Sequence, residues 1–433
     1  MDRGVKEFFN SKTFTVVGTS RDSKNVGHII FKNLLKANKR VFGINPKANK
    51  LLGQRIYNDL FEIPYKVDCV IIAVPAKFVP LVLRQAGKLK IKCAVIISSG
   101  FSETHNNQLE EQLFKIAEQE NIKVLGPNTF GYLNTKENIN TTFFSGEIKK
   151  GSTSFISQSG AIGSAVLDSI DSLNSFIGIG NSVQLDFSDF IEYFSKDKTT
   201  KVITLYMEGL KKQRGRKFIE TCRKCKKPII ALKSGKSKSG QKAAASHTAA
   251  LASNYHIYSG IFKQANIIET YSITEMFNIA KILEKHNITK KRALIITNAG
   301  GFGVLTTDYC EKNKIKIAVI PEKIKKNLDS FLPPTWSKNN PVDIIGDATE
   351  NRYKKTLKLL DKENFFDFFI VLLTPQVMSE PLETAKILPT LTKPIFACFI
   401  GDKQTKEATD YLHKNGIINF NEPKKLCEAL GKI

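Results

Sequence analysis

Short apolar segments that end in turns rich in glycine, serine or proline recur along this 433-residue chain. Residues 14–17, 40–44, 69–74 and 94–97 form the first four, and helical segments alternate with them. Apolar runs of this length, bounded by turn residues, are typical of strands buried in a parallel sheet. Strands that alternate with helices predict an α/β fold with right-handed crossovers and a parallel sheet of Rossmann type.

The same alternation starts again twice along the chain. Residues 141–151 are predicted to form a linker, after which a strand begins at Ser154, and a third unit begins at Arg292. A chain of this length accommodates two to four domains, each with its own core. We therefore predict a Rossmann-like domain followed by two further parallel-sheet α/β domains, over residues 1–140, 150–287 and 290–433.

Ligands of parallel α/β sheets bind at the carboxyl ends of the strands. In the first domain those ends carry the candidate binding residues Gly18, Ser20, Lys47, Val74, Pro75, Ser98, Ser99 and Gly100. The first turn has no further glycine before Gly27, so the G-x-G-x-x-G spacing of dinucleotide sites is missing. Lys47 suits a phosphate better than ribose hydroxyls, although an ordinary surface lysine is the alternative. These features disfavour a standard dinucleotide site but leave a nucleotide-bearing ligand open.

Two later strands run directly into turns of small residues that open helices. Ser159, Gly160 and Ala161 form the first of these turns, and Gly300 and Gly301 lie in the second. Backbone N–H groups at a helix N-terminus form a site for anions. A helix cap whose small residues serve only packing is the alternative. Both turns are therefore candidate phosphate sites.

A segment rich in Gly, Ser, Lys and Ala, residues 233–254, contains His247 between Ser246 and Thr248. A neutral imidazole is a competent nucleophile at neutral pH, because its unperturbed pKa is about 6.5. On a flexible loop such a histidine can accept a phosphoryl group and carry it. The alternative is a solvated linker in which the histidine has no chemical role.

The net charge of +24 raises the question of a nucleic-acid partner. Its densest part, residues 211–242, holds 13 Lys and Arg residues against one acid, Glu220. Attraction of phosphate-bearing substrates or a plain solvated face explains this run, and no nucleic-acid-binding motif accompanies it. We therefore expect no nucleic-acid partner.

Other sequence features exclude several classes of protein. No apolar run approaches the roughly 18 residues that cross a bilayer, and no signal-peptide segment is recognised, so we expect no membrane association. Seven scattered cysteines fit a reducing cytoplasm, and the lone pair Cys222 and Cys225 is better explained as a helix coincidence than as a metal site. Gly235 and Gly240 have P-loop spacing, but Gln241 stands where that motif requires Lys. We predict no metal site and no nucleoside-triphosphate motif on this chain.

Taken in order, these motifs resemble those of the α subunit of ADP-forming acyl-CoA (acetate–CoA) synthetases, relatives of succinyl-CoA synthetase. The resemblance covers essentially the whole chain, including its N-terminal CoA-binding domain. Its other motifs are Gly126 to Asn128, Ser157 to Ala161, Tyr206 to Gly209, Ser246 to Thr248, Thr297 to Gly301 and Asn340 to Asp343. The last of these is expected in a loop between two strands.

The resemblance implies that the second and third domains are flavodoxin-like, as in succinyl-CoA synthetase, and assigns roles to residues. His247 is the phosphorylated residue, Glu208 supports its ring, and the turn at Ser159 receives the phosphate. CoA is expected at the strand-end residues of the first domain and at Asn128. The reaction interconverts acyl-CoA, ADP and phosphate with a free carboxylic acid, CoA and ATP.

The resemblance also implies a second subunit. The family binds ADP or ATP with Mg²⁺ in an ATP-grasp domain, and this chain has none, so we expect an ATP-grasp β subunit and an α2β2 heterotetramer. A succinyl-CoA synthetase α subunit and a CoA-binding regulatory protein without catalysis are the alternatives. Ala249 and Ser253 replace two glycines of the family pattern, which predicts slower motion or a different shape of the loop around His247. Thr129 and Phe130 are bulkier than the residues of the family pattern, which predicts a reshaped acyl pocket. The sequence predicts neither the acyl group nor the choice between ADP and GDP.

Overall fold

The structure, a computed structural model, describes residues 4–241 and 255–433. The chain divides into two compact units, Met1–Met276 and Phe277–Ile433. None of the helices in the described ranges combines the length and the apolar composition needed to cross a membrane.

The first sheet lies in the first unit and has seven strands. Its strands are β1 Thr13–Val17, β2 Arg40–Ile44, β3 Lys50–Leu51, β4 Gln54–Tyr57, β5 Cys69–Ile72, β6 Cys93–Ile96 and β7 Lys123–Leu125. Its helices are α1 Val5–Asn10, α2 Val26–Lys36, α3 Val79–Lys88 and α4 Asn107–Gln119, with short 3-10 turns at Leu60–Glu62, Ala76–Phe78 and Ser102–Thr104. The strand order is β3-β4-β2-β1-β5-β6-β7, and only the β3–β4 pair is antiparallel.

The second sheet also belongs to the first unit. Its strands are β8 Tyr132–Asn134, β9 Ile139–Asn140, β10 Lys149–Ser157, β11 Ser172–Gly178, β12 Val202–Met207, β13 Ile229–Lys233 and β14 Ile268–Thr270. Its helices are α5 Gly160–Ser169, α6 Phe187–Lys196, α7 Gly215–Lys224 and α8 Tyr255–Gln264. The order is β14-β13-β12-β10-β11-β8-β9, parallel from β14 to β11, with β8 antiparallel to β11.

The third sheet forms the second unit. Its strands are β15 Arg292–Thr297, β16 Lys316–Ile317, β17 Val342–Asp343, β18 Phe368–Leu373, β19 Ile395–Phe399 and β20 Ile418–Asn419. The helices that follow α8 are α9 Ile273–Lys285, α10 Gly300–Lys312, α11 Glu322–Asp329, α12 Glu350–Leu360, α13 Pro381–Ile387, α14 Asp402–Lys414 and α15 Pro423–Lys432, with a 3-10 turn at Leu388–Thr390. The order is β16-β15-β18-β19-β20, β17 pairs with β15, and all pairs are parallel.

A shared apolar core fixes the first and second sheets relative to each other. Phe9 stacks on Tyr193 with ring centroids 4.6 Å apart, and the buried Tyr132 hydroxyl donates to the Phe8 carbonyl at 2.6 Å. Val124 in β7 donates to the side chain of Gln184 at 2.8 Å, which adds a polar tie between the sheets. Contacts of this kind, each worth about 1 kcal/mol, hold the carboxyl ends of both sheets in one arrangement.

The predicted α/β class with mainly parallel sheets is confirmed, but three local expectations differ from the structure. Residues 132–134 and 139–140 precede the predicted boundary at 140, yet they extend the second sheet. The expected linker contains the start of β10, which begins at Lys149. Residues 342–343, expected in a loop, form β17. The division into domains over 1–140, 150–287 and 290–433 stays a prediction.

Candidate active site

The carboxyl ends of β2, β1, β5, β6 and β7 lie along one edge of the first sheet, because these neighbouring strands are parallel. The residues predicted to bind CoA follow these ends. The Ser98 hydroxyl donates to the Val74 carbonyl at 2.5 Å, and the Asn128 N–H donates to the Ser98 carbonyl at 2.9 Å. The turns after β5, β6 and β7 are thus tied together into a single surface.

The turn after β1 depends on two glycines. Gly18 has a φ of +99°, and a Cβ there would lie 2.3 Å from the Ala73 carbonyl oxygen. A Cβ on Gly27, at the start of α2, would lie 2.1 Å from the Gly18 carbonyl oxygen. Asn25 caps α2 by accepting the Gly27 N–H at 2.9 Å. Although the dinucleotide spacing is missing, these two glycines still allow the strand and the helix to approach closely, as in turns that bring backbone near a ligand.

Ser20 lies in the turn after β1, and Lys47 lies in the turn after the neighbouring strand β2. Lys47 is exposed and makes no ion pair with any residue in the described ranges, and its N–H donates to Asn45 Oδ1 at 2.8 Å. The Asn45 amide donates to the Thr19 carbonyl at 2.5 Å, so the turn after β2 is fixed against the turn after β1. The Ser20 hydroxyl accepts the Asp22 N–H at 3.1 Å. A solvated ammonium held on an ordered turn is suited to a phosphate.

A cavity of about 930 Å³ lies between the first and second sheets. It brings together two sets of predicted residues that are far apart in sequence, namely Ser99 and Asn128 with Ser159, Gly160, Ala161 and Glu208. The remaining strand-end residues lie along the same sheet edge but do not line this cavity; they are Gly18, Ser20, Lys47, Val74, Pro75, Ser98 and Gly100.

The turn between β10 and α5 forms one wall of the cavity. Ser157 Oγ donates to the Ser159 carbonyl at 2.8 Å and accepts the Ser159 N–H at 3.2 Å. Ser159 Oγ in turn accepts the Ile162 N–H at 3.3 Å and caps α5. The Gly160 and Ala161 N–H groups have no acceptor among the described residues, as expected for the first turn of a helix. Two donors at the positive end of the helix therefore lie at the cavity wall.

Glu208 is positioned by a side chain from this same turn. Gln158 Oε1 accepts the N–H groups of Glu208 and Gly209 at 2.6 and 2.9 Å, which joins the end of β12 to the end of β10. The hydroxyl of Tyr258, also in the cavity wall, accepts the Leu210 N–H at 2.8 Å. The backbone that carries Glu208 is thus held from both sides.

Lys233 ends β13 beside Met207 in the strand register, so its position is next to Glu208. It is only 3% exposed, and its ammonium lies 4.8 Å from the centre of the Tyr258 ring. Burial lowers the pKa of Lys233 below its ordinary value, and the Glu208 carboxylate opposes this shift. A largely buried cation therefore interacts with the Glu208 carboxylate.

The cavity lining also includes a polar cluster that the sequence did not predict. Glu110 accepts hydrogen bonds from Lys211 Nζ at 2.7 Å, from Ser102 Oγ at 2.6 Å and from Asn181 Nδ2 at 2.9 Å. Asn181 also donates to Glu103 at 2.5 Å. Burial raises the pKa of Glu110, but Lys211 and the hydrogen bonds outweigh it and bring the pKa below the ordinary value. The cluster joins α4, beside the first sheet, to the segments that follow β11 and β12 of the second sheet.

Three family models together match most of the chain. A CoA binding domain matches residues 12–135, a succinyl-CoA ligase like flavodoxin domain matches residues 150–283, and a ligase-CoA domain matches residues 293–430. The chain is 38% identical to the acetate–CoA ligase [ADP-forming] II subunit alpha of Pyrococcus furiosus, over 98% of this chain and 95% of that protein. The chain belongs to this family of ADP-forming acetate–CoA ligases.

The chain is also similar to a longer relative and to a solved structure. The chain is 40% identical to an acetate–CoA ligase [ADP-forming] of Methanocaldococcus jannaschii over its full length, but it spans only 63% of that longer protein. Its fold matches the dinucleotide-forming acetyl-coenzyme A synthetase 1 of Ca. Korarchaeum cryptofilum, determined with phosphate and ADP, at a TM-score of 0.94 and 35% identity, covering 99% of this chain and 96% of that one. The predicted kinship and the enzyme class, an acid–thiol ligase, are confirmed.

In the second unit of the ligase, the glycine turn after β15 has the same hydrogen-bonding pattern as the Ser159 turn. Thr297 Oγ1 accepts the Ala299 N–H at 2.9 Å and donates to the Ala299 carbonyl at 3.0 Å, as Ser157 does at the first turn. Asn298 exchanges two hydrogen bonds of 2.9 Å with the backbone of Thr374 at the end of the neighbouring β18, the counterpart of the Gln158 contact. Gly300 and Gly301 are thus the first two residues of α10, at the carboxyl edge of the third sheet.

The predicted nucleophile cannot be placed. His247, together with Ala249 and Ser253, lies outside the described residues. The roles of all the predicted site residues therefore stay proposals, although the structure brings six of them to one cavity.

Proposed function

We propose that this chain is the α subunit of an ADP-forming acyl-CoA ligase that interconverts acyl-CoA, ADP and phosphate with free acid, CoA and ATP through a phosphorylated His247. The observation that carries this proposal is the cavity in which Ser99 and Asn128 of the CoA binding domain line the same space as Glu208 and the Ser159 turn. This shared lining supports a single site for CoA chemistry and phosphate binding.

In the direction of ATP synthesis, an oxygen of inorganic phosphate attacks the acyl carbonyl. A carbon–oxygen bond forms, the carbon–sulfur bond breaks, and CoA leaves as the thiol. A ring nitrogen of His247 then takes the phosphoryl group from the acyl phosphate, and the carboxylate leaves with the bridging oxygen. ADP finally takes the phosphoryl group from the histidine, which returns to its neutral form.

The residues at the cavity suit these steps. The N–H groups of Gly160 and Ala161, at the positive end of α5, stabilise the negative charge of the phosphate and of the phosphohistidine. The Glu208 carboxylate accepts the second ring N–H of His247, so that the attacking nitrogen keeps its lone pair. Lys233 places a positive charge beside this carboxylate.

CoA binds, on this proposal, along the carboxyl edge of the first sheet. Gly18 and the turns at Val74, Pro75 and Ser98 to Gly100 provide close backbone approach. Lys47 supplies a solvated cation for a CoA phosphate. The thiol end of CoA then reaches the cavity past Ser99 and Asn128.

The nucleotide and Mg²⁺ are assigned to an ATP-grasp β subunit in an α2β2 heterotetramer. Two kinds of relative support a separate partner: the Pyrococcus furiosus proteins are named as α subunits, and this chain spans only 63% of the single-chain Methanocaldococcus jannaschii ligase. Gly300 and Gly301 are proposed as the second phosphate turn. We place the enzyme in the cytoplasm, since its seven cysteines form no disulfide.

The test is ATP formation from acetyl-CoA, ADP and phosphate with Mg²⁺, by the chain combined with its β subunit. Glu208→Gln should keep the fold but slow turnover on the order of a hundredfold or more, because it removes the charge beside the imidazole. Glu111→Gln, on the exposed face of α4, is the matched control and should not change turnover. Unchanged turnover in Glu208→Gln would remove this residue from the mechanism, and CoA binding without any ATP formation would indicate a regulatory protein.

A further inference from the structure

The side of the cavity nearest the phosphate turn is aromatic. Phe130 and Phe143 both line it, with ring centroids 4.2 Å apart and planes at 63°. Phe130 is only 4% exposed and also packs edge-on against Phe176 at 5.8 Å. Phe143 is only partly buried. Phe130 is thus buried and packed between two aromatic rings, whereas Phe143 is partly buried and packs against both Phe130 and the apolar core of the first unit.

This aromatic pair directly adjoins the turn proposed to hold phosphate. A Cβ built on Gly160 would lie 3.5 Å from the Phe130 Cβ, so only van der Waals distance separates the first residue of α5 from the aromatic side chain. In an acyl phosphate, the tail is joined to the phosphorus through only one oxygen and the carbonyl carbon. With its phosphate at the Ser159 turn, that tail must therefore lie within a few atoms of Phe130.

The polar part of the cavity lining does not suit a hydrocarbon tail. Glu110, Glu103 and Asn181 form the polar cluster described above, and the Lys211 charge is paired with Glu110 at 2.7 Å. A tail placed against these groups would bury their polar atoms without replacing their solvation, which is unfavourable. The aromatic side is the one that gains from contact with an apolar tail.

We propose that Phe130 and Phe143 form the wall of the acyl pocket, and that Phe143 sets the upper size of the acyl group. This proposal rests on the proposed function. Phe130 is the fixed base of the wall, and Phe143 closes it. Shortening Phe143 enlarges the pocket next to the phosphate turn without removing a buried core residue.

The test compares the acids used by the complex of this chain with its β subunit, in the direction of acyl-CoA formation. The measured quantity is kcat/KM for acetate, isobutyrate and phenylacetate with Phe143→Ala and Phe143→Leu. Phe144→Ala is the matched control, because Phe144 is the adjacent aromatic residue and does not line the cavity. Its backbone carbonyl still accepts the Asn33 amide in that variant.

With Phe143→Ala, the ratio of kcat/KM for the two larger acids to that for acetate should rise about tenfold, the effect expected when a pocket gains the volume of several methylene groups. Phe143→Leu should give a smaller rise, and Phe144→Ala should leave the ratio within about twofold of the native value. A ratio unchanged in both Phe143 variants overturns the proposal.

A separate measurement distinguishes failure of this proposal from failure of the proposed function. Labelling of His247 from labelled ATP in the same complex requires no acid, so it should be retained in all three variants. Labelling with an unchanged acid ratio overturns the acyl wall alone. An unlabelled native complex overturns the proposed function and the acyl wall with it.

Discussion

Substitution of Gln158 tests whether a single hydrogen-bond acceptor positions Glu208. Its Oε1 holds the N–H groups of Glu208 and Gly209 at 2.6 and 2.9 Å, so Gln158→Ala removes both bonds. At about 1 kcal/mol net for each hydrogen bond, we expect the free energy of unfolding to fall by about 2 kcal/mol. The loss of position should affect catalysis more, since a displacement of about 1 Å in a reacting group costs on the order of a hundredfold in rate.

The assay is the rate of His247 labelling from labelled ATP by rapid quench, in the complex with the β subunit, together with urea unfolding of the chain. Gln184→Ala is the matched control. Gln184 is 6% exposed, accepts the Val124 N–H at 2.8 Å and donates to Glu118 at 2.6 Å, so its removal also costs two hydrogen bonds. It does not line the cavity.

Both variants should lose similar stability, and only Gln158→Ala should label slowly. The reasoning is refuted if Gln158→Ala labels at the native rate. It is equally refuted if both variants slow by the same factor, since the slow rate would then reflect lost stability alone.

Two further predictions concern the charge of Glu110 in the polar cluster of the cavity and the packing at the Gly300 turn. Because its pKa is lowered in the fold, Glu110 should contribute stability that is complete above its unfolded pKa of about 4.3 and is lost as the pH falls through the lower folded value. Glu110→Gln should therefore show a smaller drop in melting temperature between pH 6 and pH 3 than the native chain. An identical pH profile of the two proteins would contradict this. Gly300→Ala should lower the free energy of unfolding in urea by about 1 kcal/mol. Its Cβ would lie 2.8 Å from Asp343 Oδ2, and the other oxygen of that carboxylate is held by the Ile345 N–H. Gly301→Ala, with no atom within 4 Å, should change it by less than about 0.5 kcal/mol, and equal effects would contradict this account.

The strands that carry the site could be predicted because their signals are local. Strands β12 and β15 are largely apolar, and β10 ends in the apolar pair Phe155 and Ile156. The Ser159 turn directly follows β10, and the Gly300 turn follows β15. The strand-end rule also predicted that the candidate CoA residues share one edge of the first sheet, and the parallel pairing of its strands places them there. It could not show which of them reach the cavity, because that depends on how the second sheet packs against the first.

Strand β11 was not identified because its pattern is interrupted by a buried polar residue. Asn174 lies in its middle and is 2% exposed, and its amide donates to Ser154, Thr200 and Asp197. These partners are distant in sequence, so the residue appears polar and solvated when the chain is read locally. Asn181, which follows β11, was missed for the same reason.

The polar cluster of the cavity depends on contacts over long sequence separations. Glu110 and Lys211 are 101 residues apart, and Asn181 is 71 residues from Glu110. Each is an ordinary surface residue by sequence pattern, and only the packing of the two sheets makes them neighbours. Phe143 was likewise assigned to a linker, although the structure places it in the cavity wall.

Mass-spectrometric localisation of phosphate after incubation of the complex with labelled ATP and Mg²⁺ tests the central claim most directly. We expect an acid-labile, base-stable phosphate on His247 that chases into ATP on addition of ADP and disappears in His247→Ala. A label that persists in His247→Ala, or that resides on another residue of the native chain, would contradict the account.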